Sequence, residues 1–491
     1  MTHKRLLFIF SIFLCTGFLI PHISLSQETE KNIAENIDGY HIHIAISPYK
    51  NNDTIFLASY YGKSNRLVDT TVLNENDEGD FIGPEKLPQG IYFLVSQEKS
   101  FLFEILMDDV QQFSIKGDAR KASELVITGS TENELFAAYT RFLGMISPRL
   151  NAAQQSLKAA TTKQDSAKAK IELKEFGGQL NSYRDSIIQK NPNSMLATFL
   201  NAAKIPEFPQ PVNGDSLYPF YYVKTHYWDN VDFFDDKLLR TPFFDKKLED
   251  YYKYYVDPQP DSVIKEVNYM LLSARESKEM FHYLLGKFTD KYINPEIMGL
   301  DKVFLFLFEN YYAKGDTAWL SSKQNKYIFD RAYSVMANQI NEQAAPLNLI
   351  DTSGKPVSLF DIKSPYIFLA FWDPHCSHCK EKIPVIDSLY HAKWKSLGVT
   401  ILGVNVNENE EADWKKFIVD HNLEGWLHAW FTREQRLAEE KTGQADYRQL
   451  YDVQETPTFF LLDEKKRIIA KKLSLQQFDE LLSTKLSKQN N

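Results

Sequence analysis

Cys376-Ser377-His378-Cys379 is the segment of this sequence whose residue types and spacing can do chemistry. Two thiols separated by two residues can alternate between a dithiol and a disulfide if they open a helix. That placement is what the flanking residues predict: Tyr366 to Trp372 is an apolar, strand-like run, and Cys376 to Leu397 reads as a helix. At a helix start, unpaired N–H groups and the helix dipole favour a thiolate. The Cys376 thiolate would attack a disulfide, and Cys379 would resolve the mixed disulfide. His375 and His378 flank and divide the pair; protonated, either would favour the thiolate further. The plain alternative for both is exposure at a helix start.

Two competing uses of the motif are weaker. Four ligands within five consecutive residues do not easily close a tetrahedron, so no metal is expected. A structural disulfide closing so small a loop would add little stability. The chain has one other cysteine, Cys15, inside a leader-like segment. Met1 to Gln27 carries Lys4 and Arg5, then a fifteen-residue apolar stretch from Leu6 to Ile20, then the small residues around Ser24-Leu25-Ser26. This predicts a signal peptide over 1–26, cleaved after Ser26. The stretch is shorter than the roughly 20 residues that span a bilayer, and Pro21 and His22 interrupt it. Leu14 before Cys15 argues against lipidation there. Cleavage leaves two cysteines, both in one CxxC, which favours redox chemistry over stapling.

Those thiols must be positioned by a large chain. Its 491 residues exceed one core, since domains cluster near about 100–150 residues. With 43% hydrophobic and 25% charged residues it is neither fibrous, disordered nor polytopic. The formal charge is −9, and losing Lys4 and Arg5 leaves 54 basic against 65 acidic residues. Nucleic acid is therefore not expected as a partner.

Residues 38–128 read as an antiparallel β-sandwich: Tyr40 to Ile44 alternates, and further β-rich runs are separated by Asn51-Asn52-Asp53, Asp77-Glu78-Gly79-Asp80 and Pro88-Gln89-Gly90. His41 and His43 share a face but have no evident third ligand, so they read as ordinary strand histidines. Residues 131–340 read as a helical domain. Thr131-Glu132-Asn133-Glu134 carries a capping signature, and two apolar stripes to Ile187 predict a helical hairpin. The aromatics of 205–260 read as core filling, with a client-binding surface as the lesser alternative. Residues 344–491 alternate strands and helices and read as an α/β domain.

Phe371-Trp372-Asp373-Pro374-His375-Cys376-Ser377-His378-Cys379, with Pro384 in the following helix, resembles the active-site strand and kinked helix of the thioredoxin superfamily. Thr456-Pro457-Thr458-Phe459 resembles its cis-proline loop. The leading hairpin and the long segment from Val406 to Val453 resemble the periplasmic TlpA/ResA-like branch, over about residues 344–486. The upstream regions resemble, more weakly, the β-rich and helical domains ahead of such modules in some Gram-negative bacteria. The resemblance implies a cis Pro457 facing the dithiol and a Thr456 backbone that pairs with an extended substrate. Trp372, His375 and His378 are the candidate redox-tuning residues. Three positions depart from the pattern: Ala370 replaces a buried acid, Lys382 replaces a Glu (Glu381 is one place earlier), and His375 replaces a Trp. The proton-handling acid is therefore unassigned.

The expectation is a multidomain, exported, periplasmic thiol–disulfide oxidoreductase, a reductant or isomerase, needing no cofactor. Its implied partners are protein disulfide or dithiol clients and a membrane electron donor; its oligomeric state is left open. Peroxidase chemistry is disfavoured because no Pro-x-x-x-Thr-x-x-Cys precedes Cys376. The alternative from another class is a binding or scaffold protein whose first 340 residues hold a partner or glycan.

Overall fold

The structure, a computed structural model, describes residues 39–443 and 445–489. The leader read at the start of the chain lies outside the described residues. No helix among the described residues is long and apolar enough to cross a membrane. The chain forms two compact units. The first takes it through Tyr255 and adds Ala274–Met280; the second takes Val256–Ser273 and the chain from Phe281.

In the first unit, strands β1 (Tyr40–Ser47), β2 (Thr54–Tyr61), β3 (Ser64–Val72) and β4 (Glu78–Gly83) are followed by β5 (Gly90–Ser96), β6 (Phe101–Met107), β7 (Gln112–Asp118) and β8 (Val126–Thr128). They form two sheets, β4-β1-β7-β8 and β3-β2-β5-β6. Period-two alternation turns Tyr40, Ile42, Ile44 and Ile46 into a core shared with Ile55, Leu57, Leu94 and Ile105. The expected antiparallel pairing has one exception: β1 and β7 are parallel, because the chain builds the other sheet between them.

Helices α1 (Thr131–Ala159) and α2 (Lys163–Lys190) form the expected hairpin, with Ile146, Leu150 and Leu180 buried along its seam. The capping differs from the sequence reading. Ser130 is the N-cap, accepting from Asn133 N–H. This frees Asn133 to bond both backbone groups of Leu106, at 2.8 and 2.7 Å, and Glu132 to accept from Leu196 N–H at 2.7 Å. Beyond lie α3 (Met195–Ala202), α4 (Tyr218–His226) and α5 (Phe244–Tyr254). Here Tyr227, Trp228, Phe233 and Tyr251 fill the interior, while Tyr221 and Tyr254 stay exposed.

The chain then continues through α6 (Pro260–Ala274), α7 (Lys278–Tyr292), α8 (Asp301–Asn310) and α9 (Ser322–Met336). The second unit's strands are β9 (Asn348–Asp351), β10 (Pro356–Ser358), β11 (Tyr366–Trp372), β12 (Val399–Asn405), β13 (Leu427–Trp430), β14 (Thr458–Asp463) and β15 (Ile468–Lys471). Between and after them lie α10 (Ser377–Ala392), α11 (Glu411–Asp420), α12 (Arg433–Thr442), α13 (Tyr447–Leu450) and α14 (Leu475–Gln489). The sheet order is β10-β9-β13-β12-β11-β14-β15, with β11, β12 and β13 parallel to one another. Both faces are covered, by one cluster around Trp394, Trp414 and Phe478 and another around Phe371, Tyr451 and Phe460.

The helices from α8 onward are built into this second unit. After α9, Asn341 and Ala344 donate to Ile468 and Lys466 carbonyls at 2.8 Å each, while Ile468 donates to Glu342. Lys471 of β15 is ion-paired with Asp301 at the start of α8 and donates to the Asn338 carbonyl at 2.8 Å and its side-chain oxygen at 2.6 Å. The helical stretch read as one domain over 131–340 is thus divided between the two units.

Candidate active site

β11 is buried along its whole length, so its end at Trp372 fixes where the chain leaves the sheet. Asp373 then organises a tight turn. Its Oδ1 accepts from His375 N–H at 2.8 Å and its carbonyl from Cys376 N–H at 3.2 Å. Cys376 is the extended N-cap of α10, and its carbonyl accepts from Lys380 N–H at 3.1 Å. Pro384 lies inside the helix. Cys376 is half-buried and Cys379 fully buried, and both are free thiols. From the far side comes the loop before β14. Its Thr456–Pro457 peptide is cis, and the Thr456 carbonyl accepts from Cys376 Sγ at 3.2 Å.

These surroundings treat the two thiols oppositely. Burial alone would push Cys376 up. Hydrogen bonding by the Thr456 side chain, by the Cys379 side chain and by the backbone N–H groups of Cys379 and His378 outweighs it, so the thiol sits below its ordinary value. Burial dominates at Cys379 and pushes it up to about 12, and the neighbouring Cys376 charge adds to the effect. Cys376 therefore ionises first. A lowered pKa means more thiolate at any given pH. Alkylation of the reduced protein by iodoacetamide should thus modify Cys376 at pH values below those required by an ordinary thiol of pKa about 8.5. Cys379 should stay unmodified through pH 9 in the folded protein, as peptide mass mapping would report. Equal labelling of both cysteines would contradict this asymmetry.

The other predicted residues are distributed unevenly. His375 is exposed, and its Nε2 is ion-paired with Glu410 and lies 3.2 Å from Asp413 Oδ2. Asn407 joins the same network, its Nδ2 lying 3.4 Å from both Asp373 Oδ2 and Glu410 Oε2. His378 is exposed on the first turn of α10. Trp372 is buried beneath the turn, its ring 5.1 Å from that of Phe417 and its Nε1 without a hydrogen-bond partner. Ala370 is wholly buried, whereas Glu381 and Lys382 face solvent, so none of the three supplies a buried acid beside Cys379.

Sequence reasoning missed Asp373, Asn407, Glu410 and Asp413. The available signal was the polar run following the second apolar strand. β11 and β12 are parallel neighbours, so residues just past their C-terminal ends meet.

Among the described residues, two clusters of metal-ligand residue types bear on the sequence reading. His375, Glu410 and Asp413 offer atoms within 4.8 Å of one another, but all are accessible and already paired among themselves. We read them as a surface ion-pair network rather than a ligand set. In the first unit, β-sheet register places Asp80 opposite His43, and its Oδ1 bonds His43 at 3.0 Å and His41 at 2.8 Å. The partner that sequence spacing did not reveal is thus a cross-strand carboxylate.

A buried thiol, an ionisable thiol at a helix start and an opposing cis-proline loop on a covered α/β sheet define a thioredoxin-like domain. Residues 340–471 match the AhpC/TSA family, and residues 152–338 match DUF5106, a domain of unknown function. The C-terminal domain is a thioredoxin-like thiol–disulfide oxidoreductase domain, with homologues named ResA. It is 29% identical over 143 residues to the thiol-disulfide oxidoreductase ResA of Bacillus cereus, covering 29% of this chain and 75% of that protein. It is 32% identical over 121 residues to ResA of Bacillus subtilis, covering 25% and 60%. A crystal structure of a thioredoxin-like protein from Bacteroides caccae aligns with a TM-score of 0.44 at 20% identity, over 57% of this chain and 98% of that one.

Proposed function

We propose that this protein is an exported oxidoreductase that reduces or isomerises disulfides in periplasmic protein clients. The Cys376 thiolate attacks one sulfur of a client disulfide, forming a mixed disulfide and releasing the other client sulfur as a thiolate. Cys379 gives up its proton to the client thiolate released in the first step and attacks Cys376 Sγ, releasing the second client sulfur as a thiolate. Two electrons pass to the client, and the protein is left with a Cys376–Cys379 disulfide. A dithiol donor, in our reading a membrane-held one, must then reduce it. Thr456 and Pro457 hold the client strand, and Trp372, His375 and His378 set the redox poise.

The observation that carries this reading is the opposite treatment of two adjacent thiols: Cys376 accessible and favoured as thiolate, Cys379 buried and held as thiol. Cys379→Ser should stall the cycle at the mixed disulfide. Expressed with its leader in a Gram-negative host, that variant should migrate in covalent adducts on non-reducing gels that dithiothreitol dissolves. Additional replacement of Cys376 should remove the adducts. Adducts in neither variant would sink the proposal, and adducts in the cytosolic fraction alone would overturn the location.

A further inference from the structure

The loop that carries Thr456 and Pro457 begins at Asp452, a residue only 3% exposed with a left-handed backbone at φ +50°. Aspartate is one of the few non-glycine residues that tolerate that conformation. Its carboxylate is held from three sides. Oδ1 is ion-paired with Arg331 and accepts from Gln454 Nε2 at 3.0 Å, while Oδ2 is ion-paired with Lys472. Lys472 also donates its backbone N–H to Phe459 at 3.0 Å. Asp452 and Phe459 bracket the cis-proline loop, so one buried carboxylate ties the two ends of that loop together.

Arg331 is the member of this network that comes from outside the α/β sheet. It lies on α9, within the stretch matching the domain of unknown function, and is 4% exposed. Its Nη2 donates to the Ile293 carbonyl at 3.1 Å and to Asn294 Oδ1 at 2.9 Å, which fixes the guanidinium from the helical side. A planar fork bonded on both sides transmits position in a way that a single flexible ammonium does not. A buried ion pair is a poor source of net stability but a strong source of geometric definition.

We propose that Arg331 is a positioning residue of the redox site. Through Asp452 it fixes the loop against which an extended client strand pairs, which gives the last helix of the domain of unknown function a role in client recognition. The proposal rests on the reading of Thr456 and Pro457 as the client-docking edge. Arg331 thereby acts first on client binding and, because the same loop sets Thr456 against Cys376 Sγ, also on the setting of that thiol.

The test uses the full mature chain with Arg331→Met and, as the variant that keeps the charge but loses the fork, Arg331→Lys. Insulin reduction with dithiothreitol as electron source should show KM raised by about fivefold or more in either variant. Partial unfolding would instead lower kcat at unchanged KM, so the split separates positioning from mere support. Amide hydrogen exchange supplies a readout independent of activity. In Arg331→Lys the amides of 453–459 should exchange faster than in the parent, with those of β11 unchanged. Unchanged KM together with unchanged exchange in the folded Arg331→Lys protein would overturn the proposal. Wild-type protein that fails to reduce insulin would overturn the activity reading instead, and the exchange comparison would still decide whether Arg331 holds the loop.

Discussion

Cys376→Ser is expected to lower insulin-disulfide reduction by about a thousandfold or more, to the level of the dithiothreitol used as electron source. The hydroxyl that replaces the thiol is a far weaker acid than a cysteine whose pKa is already lowered, so the N–H groups at the start of α10 would face a neutral group. Cys379 cannot take over: it has no exposed surface, and burial holds it as a thiol at neutral pH. The fold should survive, because oxygen for sulfur at a half-buried N-cap opens no large cavity. Cys376→Ser should therefore match the parent in thermal midpoint while losing activity. Substantial residual turnover would place the chemistry elsewhere in the chain.

The second large effect concerns stability. Lys471→Met should destabilise the second unit by about 3–5 kcal/mol, because it leaves the Asp301 carboxylate buried without its cation. Asp301 is already poorly served: its Oδ1 is buried with no hydrogen-bond partner. Lys471 also supplies two hydrogen bonds to Asn338, which the methionine cannot replace. Replacing both partners, as Lys471→Met with Asp301→Leu, removes the stranded charge and should recover about half of the loss or more. Urea titrations of the single and double variants measure the difference. A single variant within about 1 kcal/mol of the parent would show that Asp301 finds water or a proton at little cost.

How much of this could be read from sequence follows from whether each interaction is local. The dithiol, its strand and its helix are contiguous from Tyr366 to Ala392, so residue order and period reveal them together. The first unit's strands were legible in part: β1, β2, β3, β5 and β6 fall on runs that turn residues and period-two alternation reveal, whereas Glu78-Gly79-Asp80, read as a turn, begin β4, and β7 and β8 were not read. β13 was not: four residues, with Leu427 exposed and Ala429 alone fully buried, offer too little alternation to register. The helix start at Thr131 was found, but the roles of Glu132 and Asn133 depend on Leu196 and Leu106, which no local pattern brings near. The same applies at the site. Ala370 and Lys382 announced that the usual acids were missing, whereas Glu410 and Asp413 join His375 only because two parallel strands end side by side. Arg331 and Asp452, 121 positions apart, are farther still from any sequence-level signal.

The depth difference between the two sulfurs has a consequence for oxidative damage. A peroxide reaching the accessible Cys376 thiolate would convert it to a sulfenic acid, the first rung of a ladder whose higher rungs are irreversible. Directly beneath lies a thiol that solvent oxidants do not reach. Condensation of that thiol with the sulfenic acid would expel water and close the Cys376–Cys379 disulfide, the same species that the proposed client reduction would leave behind. On the proposed cycle, an injury at the accessible sulfur would thereby become an ordinary turnover state, and the donor that resets the enzyme would also repair it.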